Sequence, residues 1–70
     1  MISAKVIFHN REGASSYHDL GEHWFALLPL HNDQVALPVE GVMQRFRVAT
    51  IRHFPAQRAN GQTAIEIIVD

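Results

Sequence analysis

The sequence predicts a small all-β fold in which five strands curl into a barrel, and three observations carry that prediction. The chain has 70 residues and no cysteine, which allows a single domain over residues 1–70 and excludes a disulfide framework. Its apolar residues recur mainly with a period of two, the spacing of half-buried strands. Turn-forming pairs such as Glu40-Gly41 and Asn60-Gly61 separate those stretches at short intervals.

Two strands are predicted directly from this alternation. Apolar side chains at every second position predict a strand over residues 2–10, and residues 10–16 have the composition of a loop. The same alternation predicts a strand over residues 34–39, with inward positions at Val35, Leu37 and Val39. Pro38 lies in that strand and has no N–H to donate, so we expect its nitrogen to face outward or to lie at a bulge.

The stretch between these two strands allows two interpretations. Ser16 with Asp19 three residues later resembles a capping box, which gives an alternative fold, an α+β sheet packed by one short helix over residues 16–28. Gly21 weakens such a helix by about 1 kcal/mol. The other interpretation is a loop as far as Gly21 and then a strand over residues 22–28, and the sequence favours this one.

A long β segment is predicted over residues 42–54, and its hydrophobic phase changes midway. The change falls at Ala49-Thr50, between the pair Phe46 and Val48 and the pair Ile51 and His53. A bulge or sharp bend there would bring all four side chains to one face. Small barrels need such bends to close, so this irregularity supports the barrel.

A last strand is predicted after the turn at Asn60-Gly61, with Ile65, Ile67 and Val69 facing inward. A strict two-residue loop would place Phe54 opposite Ile67, whereas the bulge favours Ile51 opposite Val69, which makes the better core. We therefore expect a loop that is longer or less regular than two residues. Five short strands connected in this way predict an SH3-like barrel.

Charge argues against a dedicated nucleic-acid binder. The formal net charge is −1, with two basic and four acidic side chains in residues 1–35 and four and three in residues 36–70. Phosphate binding depends on an excess of basic charge. An anion- or nucleic-acid-binding barrel is the alternative function. It would use a row of guanidinium groups at Arg45, Arg47 and Arg52, with Tyr17 or Trp24 as a stacking platform.

Residues that could carry catalysis or hold a metal form no recognisable pattern. The five histidines are scattered, and the chain has no GxSxG, HExxH or glycine-rich phosphate loop. We therefore expect no enzyme activity, no metal and no cofactor, and we assign no catalytic residue. A small hydrolase built on Ser16 and His18 is a further alternative, and it requires those two side chains within hydrogen-bond reach.

Large apolar side chains out of phase with the predicted core favour a protein partner. Consecutive aromatic residues in a strand point to opposite faces, and two isoleucines are out of phase with their own strands. A contiguous exposed set of this kind marks an interaction surface, and a chain this small gains stability from a partner. The sequence therefore predicts an interaction or assembly module, a homo-oligomer or a complex with another protein, that uses Trp24, Phe25, Ile7 and Ile68.

The sequence also bears on the compartment in which the chain works. No apolar stretch approaches the roughly 20 residues of a membrane helix, so no membrane partner is expected. The first residues lack the basic and apolar regions of a signal peptide. Together with the absence of cysteine, this allows a cytoplasmic location.

Three segments resemble a group of small bacterial proteins: KVIFHN at residues 5–10, DQVALP at 33–38 and FRVATIRHF at 46–54. Together they look like small hypothetical proteins that occur on integron cassettes, phages and other mobile elements, and the likeness runs over most of the chain. The resemblance implies an SH3-like barrel and a bacterial, cytoplasmic origin, and it implies no activity, cofactor or site residue. Where that group has a glycine in the turn before its second core strand, this chain has His31-Asn32-Asp33.

Overall fold

The predicted all-β class is confirmed by a computed structural model that describes residues 1–10, 12, 16–54 and 64–70. Its strands are β1 (Ile2–Asn10), β2 (Ser16–Phe25), β3 (Gln34–Val39), β4 (Val42–His53) and β5 (Ile65–Val69). These described ranges contain no helix, so the α+β alternative with a helix over residues 16–28 is wrong. It follows that no helix in them is long and apolar enough to cross a membrane.

The strands form one curled sheet in the order β2-β1-β5-β4-β3. All neighbours are antiparallel except β1 and β5, which pair in parallel. A five-stranded meander that closes by pairing its first strand with its last has these same neighbours. The one difference is that β2 and β3 do not pair here. The chain is therefore a half-barrel, with a closed side formed by β1, β5 and β4 and an open side formed by the edges of β2 and β3.

The hydrophobic core is deepest on the closed side. The largest fully buried side chains belong to β1, β4 and β5, and they are Val6, Val48, Ile67 and Val69. The other members of the core pack around them, and they are Ala4, Val35, Leu37 and Phe46. The inward positions predicted on β4 and β5 are thus confirmed, except that His53 is exposed at the end of β4.

β4 bends where the phase of its sequence changes. Its pairing with β5 shifts register at the bulge predicted for Ala49-Thr50, which confirms that bulge. Beyond it Ile51 pairs with Ile67, so the predicted pairing of Ile51 with Val69 is wrong by two residues. An offset of two leaves the same side chains facing the core, which is why the alternation could not reveal it. The predicted turn at Asn60-Gly61 lies outside the described residues.

β2 begins at Ser16 and ends at Phe25, which corrects the strand predicted over residues 22–28. Gly21, predicted to end a loop, lies within the strand at a bulge, with a φ of +88°. The Gly21 N–H donates to Asp19 Oδ1 at 2.7 Å, so this polar segment satisfies its own backbone and stays in the strand. The register of β2 against β1 shifts at this point.

The bulge in β2 also changes which side chains face inward. His18 lies opposite Phe8 and His23 lies opposite Ala4, and both of these β1 residues face the core. Two histidines five apart in sequence therefore occupy the same inner face of one strand. The His23 ring donates from Nε2 to the Leu20 carbonyl at 2.9 Å, which closes the bulge from the inside.

A two-residue turn joins β3 to β4, as predicted for Glu40-Gly41. Both residues have positive φ, +51° and +80°, as a type I′ hairpin requires. Along this hairpin only every second residue of β3 forms backbone hydrogen bonds with β4. The Val48 N–H donates to the Asp33 carbonyl at 2.8 Å, so the residues of β3 that bond to β4 are the odd-numbered ones. The nitrogen of Pro38 therefore faces the open edge, where no ladder bond is lost.

Candidate interaction surface on the open side

Three large apolar side chains are exposed at the end of β2 and in its connection to β3. Trp24 is 67% exposed, Leu27 82% and Leu30 66%, and we refer to these three residues as the apolar patch. The connection is held by a turn in which the Leu30 N–H donates to Asp33 Oδ2 at 2.8 Å and the Asp33 N–H donates to the Leu30 carbonyl at 3.0 Å. The patch is therefore presented on a hydrogen-bonded backbone.

The left-handed position in this turn is occupied by Asn32, whose φ is +72°. Asparagine is one of the few residues other than glycine that enters this region readily. This explains how the chain makes the turn before β3 without the glycine expected from the resemblance.

A cavity of about 540 Å³, called here the β2–β3 cavity, has Leu27 and Leu30 of the apolar patch in its wall. It is bounded by the last residue of β2, by the connection, and by the first residues of β3. Phe25 and Val35 supply apolar wall, and Asp33 and Gln34 supply polar groups.

The open side holds a second, smaller cavity at the other end of β2 and β3. Its volume is about 320 Å³, and its walls are Phe8, Leu20, Val39 and Phe46 with the polar side chains of His18 and Gln44. The rings of Phe8 and Phe46 lie 5.6 Å apart in a tilted arrangement. Since residues of both edge strands line each cavity, the two edges lie across from one another.

The four side chains predicted to contact a partner do not form one surface. Trp24 is exposed and lies opposite Ser3, whereas Phe25 is half-buried and packs against the core. Ile7 and Ile68 pair with each other on the closed side. Ile68 is only 5% exposed, so it is buried within the single chain.

Sequence reasoning missed Leu27 and Leu30 as surface residues. The run of apolar residues after Trp24 was predicted to continue β2 as far as residue 28, which would have covered part of it. The available signal was Pro29, which ends regular pairing, followed by the turn residues His31-Asn32-Asp33. Together these features predict a connection that cannot bury every side chain of the run.

The predicted arginine row is largely neutralised by carboxylates. The Arg47 guanidinium lies 3.3 Å from Asp70 Oδ1, and that of Arg52 lies 3.9 Å from Glu66 Oε1. Only Arg45 has no carboxylate within salt-bridge distance among the residues that the structure describes. One unpaired cation is a small excess for a phosphate-binding surface.

Tyr17, the predicted stacking platform, is separated from the arginine row. It lies on β2, and β1 and β5 lie between it and β4 in the order of the sheet. Its ring already stacks on His9, with centroids 4.4 Å apart and planes within 7°. The fold therefore does not bring Tyr17 and the arginines into one site.

Charges of alternating sign run across the outer face of the sheet. Lys5 pairs in register with Glu22 on β2 and with Glu66 on β5, and Glu66 pairs with Arg52 on β4. The Lys5 ammonium also lies 2.9 Å from Asp19 Oδ2. This hydrogen bond and the opposite charge raise the pKa of Lys5, and the same hydrogen bond, with that from the Gly21 N–H, lowers the pKa of Asp19.

Ser16 and His18 satisfy the distance that the hydrolase alternative requires. Ser16 Oγ lies 3.4 Å from His18 Nε2, in an exposed position. A catalytic pair also needs an acceptor that orients the other ring nitrogen of the histidine, and no hydrogen bond of the described residues supplies one. Those residues also include no group of three His, Cys, Asp or Glu side chains that could hold a metal.

Comparison with known protein families, with curated proteins and with solved structures finds no match. The resemblance to small barrel proteins of bacterial mobile elements therefore stays a prediction.

Proposed function

We propose that this chain is a non-enzymatic assembly module that associates with copies of itself through the apolar patch. The observation that supports this best is that Trp24, Leu27 and Leu30 are each about two thirds exposed or more and lie within seven residues, with Leu27 and Leu30 in the wall of a cavity. Solitary exposed apolar residues are common, whereas several large ones that are close together in the sequence favour an interaction surface.

The energetics of a small barrel favour this association. A 70-residue chain buries only about 60% of the surface that it exposes when unfolded, so its own core is small. Covering an exposed leucine or a side chain of similar size contributes about 1.5–3 kcal/mol. Association through the apolar patch would therefore add a substantial fraction of the stability of the single chain.

Side-chain docking is favoured over the addition of a strand at the open edges. Pro38 offers no N–H at the edge of β3. At the bulge of β2 the Gly21 N–H and the Leu20 carbonyl are already bonded by the side chains of Asp19 and His23. Bulges and prolines are the features with which proteins protect exposed edges from pairing. The apolar side chains, in contrast, carry no such protection.

The alternating charges on the outer face make this function preferable to nucleic-acid binding. Arg52 is a member of that alternation, and Arg47 is paired with Asp70. The same proposal assigns the module to the bacterial cytoplasm and to a mobile element, as the resemblance implies.

Molar mass in solution tests the proposal. We expect light scattering after gel filtration to give a dimer or a larger closed assembly at both low and high salt, because the contact is apolar. The double variant Leu27→Ser with Leu30→Ser should be monomeric and folded. The matched control is Val42→Ser with Met43→Ser, which removes two exposed apolar side chains at the β3–β4 turn and should leave the mass unchanged.

Two results would contradict the proposal. One is a wild-type chain that is monomeric at every concentration tested. The other is a control variant that dissociates as fully as the patch variant, since this would show that any loss of apolar surface has the same effect.

A further inference from the structure

We infer that the smaller cavity of the open side binds a flat, neutral aromatic molecule of two fused rings that carries one N–H or hydroxyl group. This cavity of about 320 Å³ is called here the aromatic cavity. None of the three residues of the apolar patch lines it. The inferred binding therefore goes beyond the proposed function and requires only a single chain.

The apolar walls of the aromatic cavity come from four different strands. Phe8 belongs to β1, Leu20 to β2, Val39 to β3 and Phe46 to β4. Phe46 is a member of the hydrophobic core, and the other three side chains pack against that core. The walls are thus held by the sheet itself, and the mouth of a barrel is a common position for a ligand site.

The rings around the cavity favour an aromatic ligand. The rings of Phe8 and Phe46 are tilted with centroids 5.6 Å apart, and the imidazole of His18 stacks on Phe8 with centroids 6.2 Å apart. Both distances lie in the range of about 4.5–7 Å at which aromatic pairs attract one another. A further ring extends this cluster, whereas an aliphatic molecule of the same size gains only from the burial of its apolar area.

The volume of the cavity determines the size of the ligand. An apolar cavity of about 150 Å³ accommodates benzene, and the aromatic cavity has roughly twice that volume. A single ring would therefore leave much of the wall uncovered. Two fused rings match the space.

The lining also determines the charge of the ligand. No Lys, Arg, Asp or Glu is among the described residues that line the cavity, so an ionised ligand would find no opposite charge there. Moving a charge from water into such a place without a partner is costly. The ligand is therefore neutral.

Two polar side chains, those of His18 and Gln44, line the same cavity and are exposed, which places them at its mouth. The Gln44 amide forms no hydrogen bond with the described residues, and the His18 ring has one such bond among them, a long one of 3.4 Å to Ser16 Oγ. The Gln44 amide oxygen and a ring nitrogen of His18 are both acceptors. An N–H or hydroxyl at the edge of the ligand can therefore donate to one of them.

Indole is the probe that tests this site, since it has two fused rings, no charge and one N–H. In a proton–carbon NMR titration its ring current should shift the methyl signals of Leu20 and Val39. Both should follow one dissociation constant, on the order of 0.1–1 mM for a ligand this small. The methyl signals of Leu27 and Leu30 should stay in place, which distinguishes the aromatic cavity from general binding to exposed apolar surface.

The hydrogen bond is tested with 1-methylindole, which keeps the two rings and lacks the N–H. It should bind about two- to tenfold more weakly than indole, the usual effect of one neutral hydrogen bond. The double variant His18→Phe with Gln44→Leu keeps apolar bulk at the mouth and offers no side-chain acceptor there. In this variant the preference for indole over 1-methylindole should be lost.

A blocking substitution tests the position of the ligand. Gln44→Trp places an aromatic ring of the chain itself at the mouth of the cavity and should abolish the binding of indole. Val42→Trp is the matched control. Val42 is exposed two residues away on the same face of β4 and does not line the cavity, so this variant should bind indole as the wild type does.

The outcomes separate this inference from the proposed function. The site is overturned if indole up to about 10 mM, well above the expected constant, gives no saturable shift at Leu20 and Val39. Equal shifts at Leu27 and Leu30, or unchanged binding to Gln44→Trp, also overturn it. The variant Leu27→Ser with Leu30→Ser should bind indole normally, and a loss there would show that the site does not belong to the single chain. The molar mass in solution, which tests the proposed function, is measured independently of all these results.

Discussion

The closed and open sides of this half-barrel both carry large apolar side chains, but the closed side buries them and the open side leaves several of them exposed. On the closed side β1, β5 and β4 each have paired neighbours, and side chains such as Val6 and Ile67 are fully buried. On the open side β2 and β3 have one neighbour each, and the apolar patch remains exposed. Stability and availability for contact are therefore assigned to separate parts of a chain of only 70 residues.

The two sides also differ in how their backbone polar groups are satisfied. The closed side bonds strand to strand, whereas the open side uses local devices: a proline on β3 and, on β2, the side chains of Asp19 and His23. These devices protect the edges against indiscriminate pairing. An exposed apolar patch beside protected edges is suited to a specific docking contact rather than to aggregation.

Removal of a core side chain on the closed side should have the largest effect on stability. Ile67→Ala leaves a cavity in the centre of the core and should lower the free energy of unfolding by about 2–5 kcal/mol. Leu27→Ala, on the open side, should change it by less than about 0.5 kcal/mol in the monomer. Urea unfolding followed by circular dichroism, at concentrations low enough for the chain to be monomeric, measures both.

Ile67→Val gives a graded test if Ile67→Ala does not fold. It should cost about 0.5–1.5 kcal/mol. If Leu27→Ala were as destabilising as Ile67→Val, the open side would belong to the core and the contrast between the two sides would be lost.

Gly21→Ala should have an intermediate effect and should act on the open side alone. A Cβ at Gly21 meets no atom within 4 Å, so the cost arises from the left-handed backbone and amounts to about 1–2 kcal/mol. Gly41→Ala is the matched control. Its φ is similar and its Cβ also meets no atom within 4 Å, but it lies in the β3–β4 turn and not in β2. Hydrogen exchange should become faster in β2 for Gly21→Ala, whereas the amides of β5 should keep their protection.

An increase in exchange that extends equally through β5 would contradict this prediction. It would show that the bulge of β2 and the closed side open together as one cooperative unit.

The sequence predicted the parts of this fold that depend on alternation alone. The strands at residues 2–10 and 34–39, the turn at Glu40-Gly41 and the bulge at Ala49-Thr50 follow from the period of two and from turn-forming residues. β2 could not be predicted in the same way, because its bulge changes the parity of the strand and Gly21 imitates the end of a loop. That bulge becomes visible only when β1 is paired against it.

The candidate surface was predictable only in part, for a physical reason. Trp24 and Phe25 stand out because adjacent aromatic residues cannot both face one core. Whether a side chain such as Ile68 is covered depends instead on distant strands and on the path of the connections. For the same reason the exposure of Leu27 and Leu30 follows from the course of the chain after Pro29, which alternation does not determine.

The smallest effect that we expect concerns the ion pair of Lys5 and Asp19, which joins the open side to the closed side. The hydrogen bond from Lys5, followed by that from the Gly21 N–H, lowers the pKa of Asp19 below its ordinary value of 3.8. A carboxyl with a lowered pKa stabilises the fold above its unfolded pKa, and this contribution is lost as the pH falls through the folded value.

Asp19→Asn keeps an acceptor for Gly21 but removes the charge, so the wild type should unfold at a higher urea concentration than the variant at pH 6. This difference should close between about pH 4 and pH 2, and also at high salt, since both side chains are exposed. A difference that persists unchanged in acid would show that Asp19 acts through the bulge and not through its charge.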